Sequence, residues 1–561
     1  MSGNARAIDP LTLAVVRHKL LAVAEEVVET MVRTCFSPLL NQSRDFSAVV
    51  LDSNAQVVAQ AERTPIHMGA MPFAVRAMAA DFEGDVGPDD VLMANDPYWG
   101  GSHLPDITLV KPVFRDGRLC FWVANRAHQS DTGGISAGGY SPSARVIWHE
   151  GIRIPPVKFV ENGRMREDLL RLICENTRKA EDTRGDLMAQ LSSVDVGAVR
   201  MHALLDRYGV AEIGRCSAAI LDAGEAAMRR HIGGWKPGVY KSVSWFDHDG
   251  VATERFPIPV TVTVGKDEVE VDFREVGDQV ASYINSPIAN TSACVYIAFF
   301  YLINDQQVLN EGSTRAIRIL TRKGSVVDPV APAPVTGSTT FAAAVIIEAV
   351  MRAMAQAAPD QVVAGPARRF RYVIAGTDPE RGPYIYHYFS NKGGFGANKL
   401  EDGWMNLGGM QNPGGTPSAS LERVEATYPF KIEAYGITPE SGGAGRRRGG
   451  CGGIFALRYL GHGPAALNIA GEGTLVAPYG ALGGKEGAPH VIWIERGNRR
   501  IDLTGRSNDV PIEPGDLIVH CSAGGGGYGD PRERERDLVR RDVAYGYIGR
   551  ATGRDVYGLE D

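Results

Sequence analysis

The sequence predicts an α+β protein of several domains, with large antiparallel sheets and a strand-rich carboxy-terminal part. Three observations carry this. The chain has 561 residues, and domains usually run to about 100–200 residues. Helical and strand-like segments come in blocks rather than in strict strand–helix–strand alternation. The strand-like runs are short, alternating and punctuated by Gly and Asp, as antiparallel strands are. The expected division is an amino-terminal domain over 1–230, a mixed β/α region over 231–380 and a Gly-rich, strand-rich region ending in a helix over 381–561.

The elements follow in order. Asp9 as N-cap and Pro10 at the first helical position open a helix, and Leu13, Val16, Leu20, Val23, Val27 and Met31 recur at helical spacing until Ser37-Pro38 stops it. Residues 47–51 and 56–60 read as a hairpin around Asp52-Ser53-Asn54, and 69–82 as a helix despite Pro72. Two apolar runs, 107–114 and 119–124, flank Asp116-Gly117, a dipeptide suited to the positive φ angles of a type I′ turn. A two-residue turn there pairs Asp106 with Ala127, Pro105 with His128 and His103 with Ser130. Pro112 argues for an edge strand or a bulge; a bulge would shift this register by a residue without dispersing the cluster. Residues 167–221 read as helical, 239–273 as antiparallel strands, and 289–303 and 342–358 as buried helices around a stiff connector at 328–334. Beyond Tyr372 come glycine-punctuated strands, the run GGGGYG at 524–529, and a charged helix after Asp530-Pro531.

Composition narrows the function. Hydrophobic residues make up 44% and charged residues 22%, ordinary globular usage. With 59 basic and 66 acidic residues the net charge is −7, which does not suit a nucleic-acid surface. No run reaches the ~18 apolar residues of a membrane span and the amino terminus lacks the apolar core of a secretion signal, so the expected location is the cytoplasm, with no membrane partner. Seven scattered cysteines without a CxxC read as reduced thiols. The one excess is glycine, 66 residues, where about 7% is usual.

The chemistry gathers at the open end of the Asp116-Gly117 hairpin, where His103, Asp106 and His128 meet, with Asp96 and Asp131 nearby. Two imidazoles and a carboxylate suit Zn, Mn or Fe and leave positions open for catalysis. Gly100-Gly101 and Gly133-Gly134 allow close approach by a ligand. Asp45, after Arg44, and His67, before a helix start, bracket the first hairpin; each is a base or substrate contact, or else an ion pair or helix-end hydrogen bond. The 524–529 run lacks the Lys and hydroxyl of a phosphate loop and reads as a tight turn. Arg446, Arg447 and Arg448 in the glycine-rich run 442–453 could clasp an anion, though a solvated loop is the commoner outcome. There is no GxSxG elbow and no Cys–His arrangement that suggests a nucleophile.

Several of these segments, SRDFSAVVLD at 43–52, PIHMGAM at 65–71, NDPYWGGSHLPD at 95–106, ANRAHQSDTGG at 124–134, EGIRIPPVK at 150–158, INSPIANT at 284–291, ESGGAGRRRGG at 440–450 and GGGGYGDP at 524–531, together resemble the hydantoinase B family. That family includes the B subunit of ATP-dependent N-methylhydantoinase, the corresponding half of 5-oxoprolinase, and subunits of acetone and acetophenone carboxylases. The resemblance runs nearly end to end. It implies that a separate A-type subunit binds ATP and phosphorylates the substrate's carbonyl-derived oxygen, while this chain holds a divalent metal (Mn, Zn or Fe) and the second half-reaction. The family's metal pattern, His-x-x-Asp and a later His, falls on His103, Asp106 and His128. Where the family has a second histidine and Asp-Ile-Gly-Gly, this chain has Gln129 and Thr132.

The implied activity is ring-opening of a cyclic amide (a hydantoin, a lactam or a 5-oxoproline-like ring) within a hetero-oligomer such as A2B2. Asp45 or Asp131 would serve as base and His67 as a further catalytic group. The alternatives are a subunit of an ATP-dependent ketone carboxylase and a non-catalytic assembly scaffold.

Overall fold

The computed structural model of the chain describes residues 8–560, apart from 62–63, 250–253, 304, 306–308, 381, 389, 414–416 and 419. Its architecture is α+β and multidomain, as the block pattern predicts. The amino-terminal half opens with helix α1 (Pro10–Thr34), capped by Asp9, whose carboxylate accepts the Thr12 N–H at 2.9 Å. Then follow α2 (Pro38–Asn41), β1 (Phe46–Asp52), β2 (Val57–Ala61), α3 (Pro65–Asp81), β3 (Val91–Ala94), β4 (Asp106–Arg115), β5 (Arg118–His128), β6 (Val157–Glu161), β7 (Arg164–Met165), α4 (Glu167–Glu175), α5 (Ala180–Tyr208) and α6 (Val210–Ile232).

The seven strands form one antiparallel sheet in the order β2-β1-β5-β4-β3-β6-β7. Both of its faces are buried. Phe46, Ala48, Val50, Ile107, Leu109, Phe121 and Val123 pack with α1 and α5, whereas Val49, Leu51, Val110, Trp122 and Ala124 pack on Met71, Val75 and Met78 of α3. Successive side chains of a strand point to opposite faces, so a sheet covered on both sides reads as continuous apolar runs. That is the pattern at 107–114 and 119–124.

Asp116 and Gly117 take φ angles of 51° and 73°, the type I′ geometry. Next to the turn, Phe114 pairs with Leu119 as the sequence predicts; a bulge between Val113 and Phe114 then shifts the register by one, so that Asp106 lies opposite His128. Helix α3 starts at Pro65, earlier than the periodicity suggests, because proline is tolerated in a first turn. His67 therefore sits inside the first turn of α3 rather than ahead of it.

The next part carries β8 (Gly238–Phe246), β9 (Phe256–Val264), β10 (Val269–Asp272), α7 (Ile288–Leu302), β11 (Ile317–Leu320) and α8 (Ala343–Met354). Its strands form a sheet in the order β11-β10-β9-β8, and their inner faces share one core with α7 and α8. A buried π-helical turn, Ser338–Ala342, runs directly into α8.

The remaining strands are β12 (Phe370–Asp378), β13 (Gly382–His387), β14 (Phe430–Ile437), β15 (Gly453–Tyr459), β16 (Ala465–Gly471), β17 (Val491–Arg496), β18 (Arg499–Leu503), β19 (Arg506–Ile512) and β20 (Leu517–Cys521). They form two sheets, β13-β12-β16-β19 and β14-β15-β20-β17-β18. Phe370, Tyr372, Ile374, Leu467 and Ile469 of the first share a core with Phe455, Leu457, Ile492, Ile494 and Ile518 of the second, which makes this part a sandwich.

The glycine-rich runs correct two expectations. Residues 524–527 are buried extended backbone, not a turn. Their successive N–H groups bond to Ala488, Gly450, Gly365 and Lys485, and their carbonyls accept from Gly443, Ala397 and Ala481. Other irregular backbone segments thus surround this one on several sides, and a Cβ on Gly525 or Gly526 would overlap the carbonyl of Phe395 or Tyr479. The Arg446–Arg448 run is not simply solvated: Arg448 is buried and pairs with Asp542 at 3.2 Å. All seven cysteines are free thiols, and among the described residues no helix is long and apolar enough to cross a membrane.

Candidate metal centre and its chamber

Alternation along the central hairpin sets the site. On β5, Trp122 and Ala124 face α3, so Arg126 and His128 continue the same face; on β4, Val110 is preceded on that face by Thr108 and Asp106. The apolar face beneath α3 thus turns polar at one end, beside His67 in the first turn of α3. His103 arrives on the loop before β4. Asn95 holds that loop, donating to the carbonyls of Leu104 and Ile152 at 2.7 and 3.1 Å and accepting from the Ile154 N–H at 2.7 Å. Gly100, at φ +85°, lies so close to the Phe73 backbone that a Cβ would not fit.

The donor atoms converge. His103 Nε2 lies 2.9 Å from Asp106 Oδ1, His128 Nδ1 lies 3.1 Å from the same oxygen, and the two nitrogens are 3.1 Å apart. Among the described residues this is the group of His, Cys, Asp and Glu side chains whose ligand atoms lie close enough, within 4.8 Å of one another, to share an ion. All three residues are buried. His103 Nδ1 faces the carbonyl of Thr336 at 2.9 Å; a carbonyl only accepts, so the proton is on Nδ1 and the Nε2 lone pair points at Asp106 and His128. His128 Nε2 is buried without a partner. A lone pair aimed at a carboxylate and a second imidazole fits a cation between them, and this set leaves room for other ligands.

Around this tripod, Asp106 Oδ2 accepts the Ser102 hydroxyl at 2.7 Å and lies 3.4 Å from His67 Nε2, which is in turn 3.9 Å from Asp45 Oδ1. Arg126 Nε donates to Thr108 Oγ1 at 2.9 Å. Burial works to raise the Asp106 carboxyl, but His103 and His67 beside it hold it well below the usual carboxylate range. Burial brings His128 down to about 4 against the pull of Asp106, and lowers His67 in the same way. Both imidazoles are therefore neutral, the form that binds metals. Behind the tripod, Glu150 accepts the N–H groups of Val335 and Thr336 at 2.9 and 2.7 Å, which fixes the carbonyl that orients His103.

A small cavity opens on the tripod, lined in part by Asp45, His67, His128, Tyr140, Arg369 and Arg371. Asp45 and His67 are thus brought to the tripod. Asp131 is not available as a base: its carboxylate accepts the N–H groups of Gly133, Gly138 and Arg178 and pairs with the Arg178 guanidinium at 3.0 Å. Its task is to shape the loop that delivers Tyr140. Asp96 is likewise structural, paired with Arg153 at 2.7 Å. Gln129 donates to Gln190 of α5 at 3.0 Å, away from the tripod, and Thr132 bonds the Glu150 carbonyl at 3.2 Å. Both departures from the family pattern leave the tripod intact. Ser102 and Arg126 were missed although they lie inside the quoted motifs; Thr336, Thr339, Arg369 and Arg371 come from distant segments that carry no local signal.

The family model described as hydantoinase B/oxoprolinase matches residues 9–531. The chain belongs to the hydantoinase B/oxoprolinase family. It is 33% identical over 564 residues to a protein named caprolactamase subunit beta, from Pseudomonas jessenii, a match covering 98% of this chain and 96% of that one. The crystal structure of the ATP-dependent caprolactamase of that organism has the same fold, with a TM-score of 0.92 at 31% identity over 99% of this chain and 97% of the other. A nucleotide-free acetone carboxylase structure shares the fold, with a TM-score of 0.90 at 19% identity over 98% and 79% of the two chains. Family membership and fold class thus agree with the reading of the motifs.

Proposed function

We propose that this chain is the B-type subunit of an ATP-dependent, ring-opening cyclic-amide hydrolase. In this reading an A-type partner binds ATP and phosphorylates the substrate carbonyl oxygen, and this chain completes the reaction. The observation that carries the reading is the buried His103–Asp106–His128 tripod opening on a small chamber, in a chain with no nucleotide-binding motif and with a caprolactamase subunit among its relatives. The proposed assembly is a cytoplasmic hetero-oligomer such as A2B2.

His103, Asp106 and His128 would hold a divalent ion, whose chemistry is to polarise a substrate oxygen or activate water. The chain's own residues do the rest. Asp45, on the chamber wall, takes a proton from water as it adds to the activated carbonyl carbon. Both protons of that water end on the ring nitrogen when the C–N bond breaks, which leaves the substrate's acyl group as an acyl phosphate; a second water hydrolyses it to the carboxylate and inorganic phosphate. His67 stands between the two carboxylates, its Nε2 3.4 Å from Asp106 Oδ2 and 3.9 Å from Asp45 Oδ1, and orients Asp106.

The test is ATP turnover and product analysis by the complex reconstituted with its A-type subunit, offered lactams, hydantoins and simple ketones with and without bicarbonate. Lactam- or hydantoin-dependent ATP turnover with a ring-opened amino acid as product supports the reading. Bicarbonate-dependent formation of a β-keto acid would replace it with a ketone carboxylase. Full activity after His103→Ala and Asp106→Ala would reduce the chain to a scaffold.

A further inference from the structure

One wall of the chamber carries an atom with a single chemical role. Gln411, on the connection from β13 to β14, lines the chamber together with His67, His128, Thr339 and Thr340. Only 3% of its surface is exposed. Its Nε2 donates to the Thr340 carbonyl at 3.0 Å. A carbonyl only accepts, so the amide cannot be turned round: the NH2 faces Thr340 and Oε1 takes the other side. Oε1 is buried and has no hydrogen-bond partner in the protein. An unpartnered buried acceptor costs free energy that a donor on a ligand recovers.

The turn that fixes this amide also fixes the tripod. Thr340 belongs to the π-helical turn Ser338–Ala342, and such turns occur frequently at functional sites. Thr339 of the same turn has its hydroxyl 3.1 Å from His103 Nδ1, and the carbonyl of Thr336, just ahead of the turn, faces that nitrogen at 2.9 Å. One short segment therefore positions both a tripod histidine and the free acceptor. Gly409 gives the amide room, since a Cβ there would meet Oε1 at 2.5 Å.

Thr64 Oγ1 and His67 Nδ1 are unpartnered too, on residues of the same wall. A hydroxyl both donates and accepts, and an imidazole changes tautomer, so neither fixes what it meets; the Gln411 oxygen does, because it only accepts. The donor that a cyclic amide offers beside its carbonyl is the ring N–H. That nitrogen gathers the protons of water as the ring opens, so an acceptor held beside it is matched to the breaking C–N bond better than to a ring nitrogen without a proton.

We infer that Gln411 Oε1 accepts the ring N–H of the cyclic amide, both in the amide itself and as that bond forms again during ring opening. It thereby sets the substrate class: rings whose amide nitrogen carries a hydrogen, ahead of N-alkylated rings and of ketones. This rests on the reading of the chain as a ring-opening subunit. Gln411 itself takes no proton.

The experiment has a binding arm and a turnover arm. In the first, the full chain is titrated with 2-pyrrolidinone and with N-methyl-2-pyrrolidinone, for wild type, Gln411→Leu and Gln411→Glu, each checked by circular dichroism and melting temperature. Wild type should bind the N–H lactam about tenfold or more tightly than the N-methyl lactam, the scale set by a buried acceptor left unpaired. Gln411→Leu should bring the two affinities together. Gln411→Glu should restore part of the difference, because a protonated carboxyl can donate to the Thr340 carbonyl and leave its other oxygen on the chamber wall. In the second arm, the complex reconstituted with its A-type subunit is offered the same two lactams, and the preference for the N–H lactam in ring-opened product per ATP should shrink likewise in Gln411→Leu. A folded Gln411→Leu that keeps the wild-type preference overturns the assignment, as does a wild type that shows none, including one that binds neither lactam. An equal loss on both lactams also overturns it, since that marks a merely structural role. A complex that opens no lactam, while the chain still prefers the N–H ring through Gln411, removes the ring-opening reading and leaves the acceptor. A complex that opens lactams with the preference intact in the variant removes the acceptor alone.

Discussion

Replacing Asp106 by asparagine separates the metal site from the fold. The native carboxylate is fully buried and touches His103 Nε2 at 2.9 Å, His128 Nδ1 at 3.1 Å and the Ser102 hydroxyl at 2.7 Å. Asparagine keeps the shape, and its carbonyl oxygen can still accept from Ser102. What it loses is the negative charge shared by the two imidazoles. One charge-assisted contact contributes about 1.5–3 kcal/mol, which corresponds to roughly 10–150-fold in affinity. The expected result is a folded protein with a cooperative melt whose metal content, after dialysis against a metal buffer, falls far below one ion per chain. In the reconstituted complex, ring opening should fall in step while the partner's ATP site is untouched. Elemental analysis, circular dichroism and product quantitation check these points. Stoichiometric metal in the variant, or full ring-opening activity without it, would refute the tripod as the metal centre.

Three further outcomes follow. Asp45→Asn should leave metal content unchanged and slow ring opening by about 10²–10⁴-fold, the usual range for a lost general base; a rate within twofold of wild type would remove Asp45 from the chemistry. Gly525→Ala should unfold or fail to express, because its Cβ overlaps the Phe395 carbonyl and displaces two backbone hydrogen bonds of 2.8 Å, at a cost of about 2–6 kcal/mol; an unchanged melting temperature would contradict the buried glycine packing. His490 is brought by burial to about 4, with Nε2 donating to the Arg368 carbonyl at 2.9 Å and Nδ1 accepting the Ala523 N–H at 3.1 Å. The unfolded chain binds a proton below its ordinary value near 6.5 that the folded chain refuses until about 4, so stability is complete above that range and declines by about 3 kcal/mol as pH falls through it. A melting temperature flat from pH 7 to 4.5 would refute this.

How far the sequence could be read depended on how local each constraint is. The helix at Pro10–Thr34 and the hairpin around Asp116-Gly117 rest on caps, turn chemistry and periodicity within a few residues, so they were legible to within a residue or two. His103, Asp106 and His128 belong to that hairpin and its approach loop, which is why spacing alone could bring them together. Asp131 shows the limit of that logic: it is as near in sequence as the three clustered residues, but Gly133 and Gly138 curl the backbone around its carboxylate and Arg178, from a distant helix start, pairs with it. The glycine run at 524–529 misled in another way. Glycine allows turns, but it also allows irregular segments to pack at backbone contact, and only the neighbours at Gly365, Gly394, Gly443 and Gly450 decide between the two. Arg369 and Arg371 had no local signal, because what brings them to the cavity is the placement of the segment leading into β12 against the loop that carries Tyr140.

The glycine packing and the site are parts of one frame. Gly526 N donates to the Gly365 carbonyl at 2.7 Å and Ala367 N to the Gly394 carbonyl at 2.8 Å, so the bundle fixes the backbone immediately before Arg369. The next residue, Arg368, makes a buried two-pronged pair with Glu348 of α8, Nε to Oε1 at 3.0 Å and Nη2 to Oε2 at 2.7 Å. Helix α8 grows straight out of the π-helical turn that contains Thr339, whose hydroxyl lies 3.1 Å from His103 Nδ1. Buried hydrogen bonds and helix α8 therefore join the backbone before Arg369 to the hydroxyl beside His103. Catalysis on a substrate held at two ends depends on the spacing of those ends, and misplacement by an ångström is expensive. A frame of backbone-to-backbone contacts has few side-chain rotamers through which that spacing could relax. The abundance of glycine follows from this: the residue without a side chain is what lets the frame be packed from backbone alone.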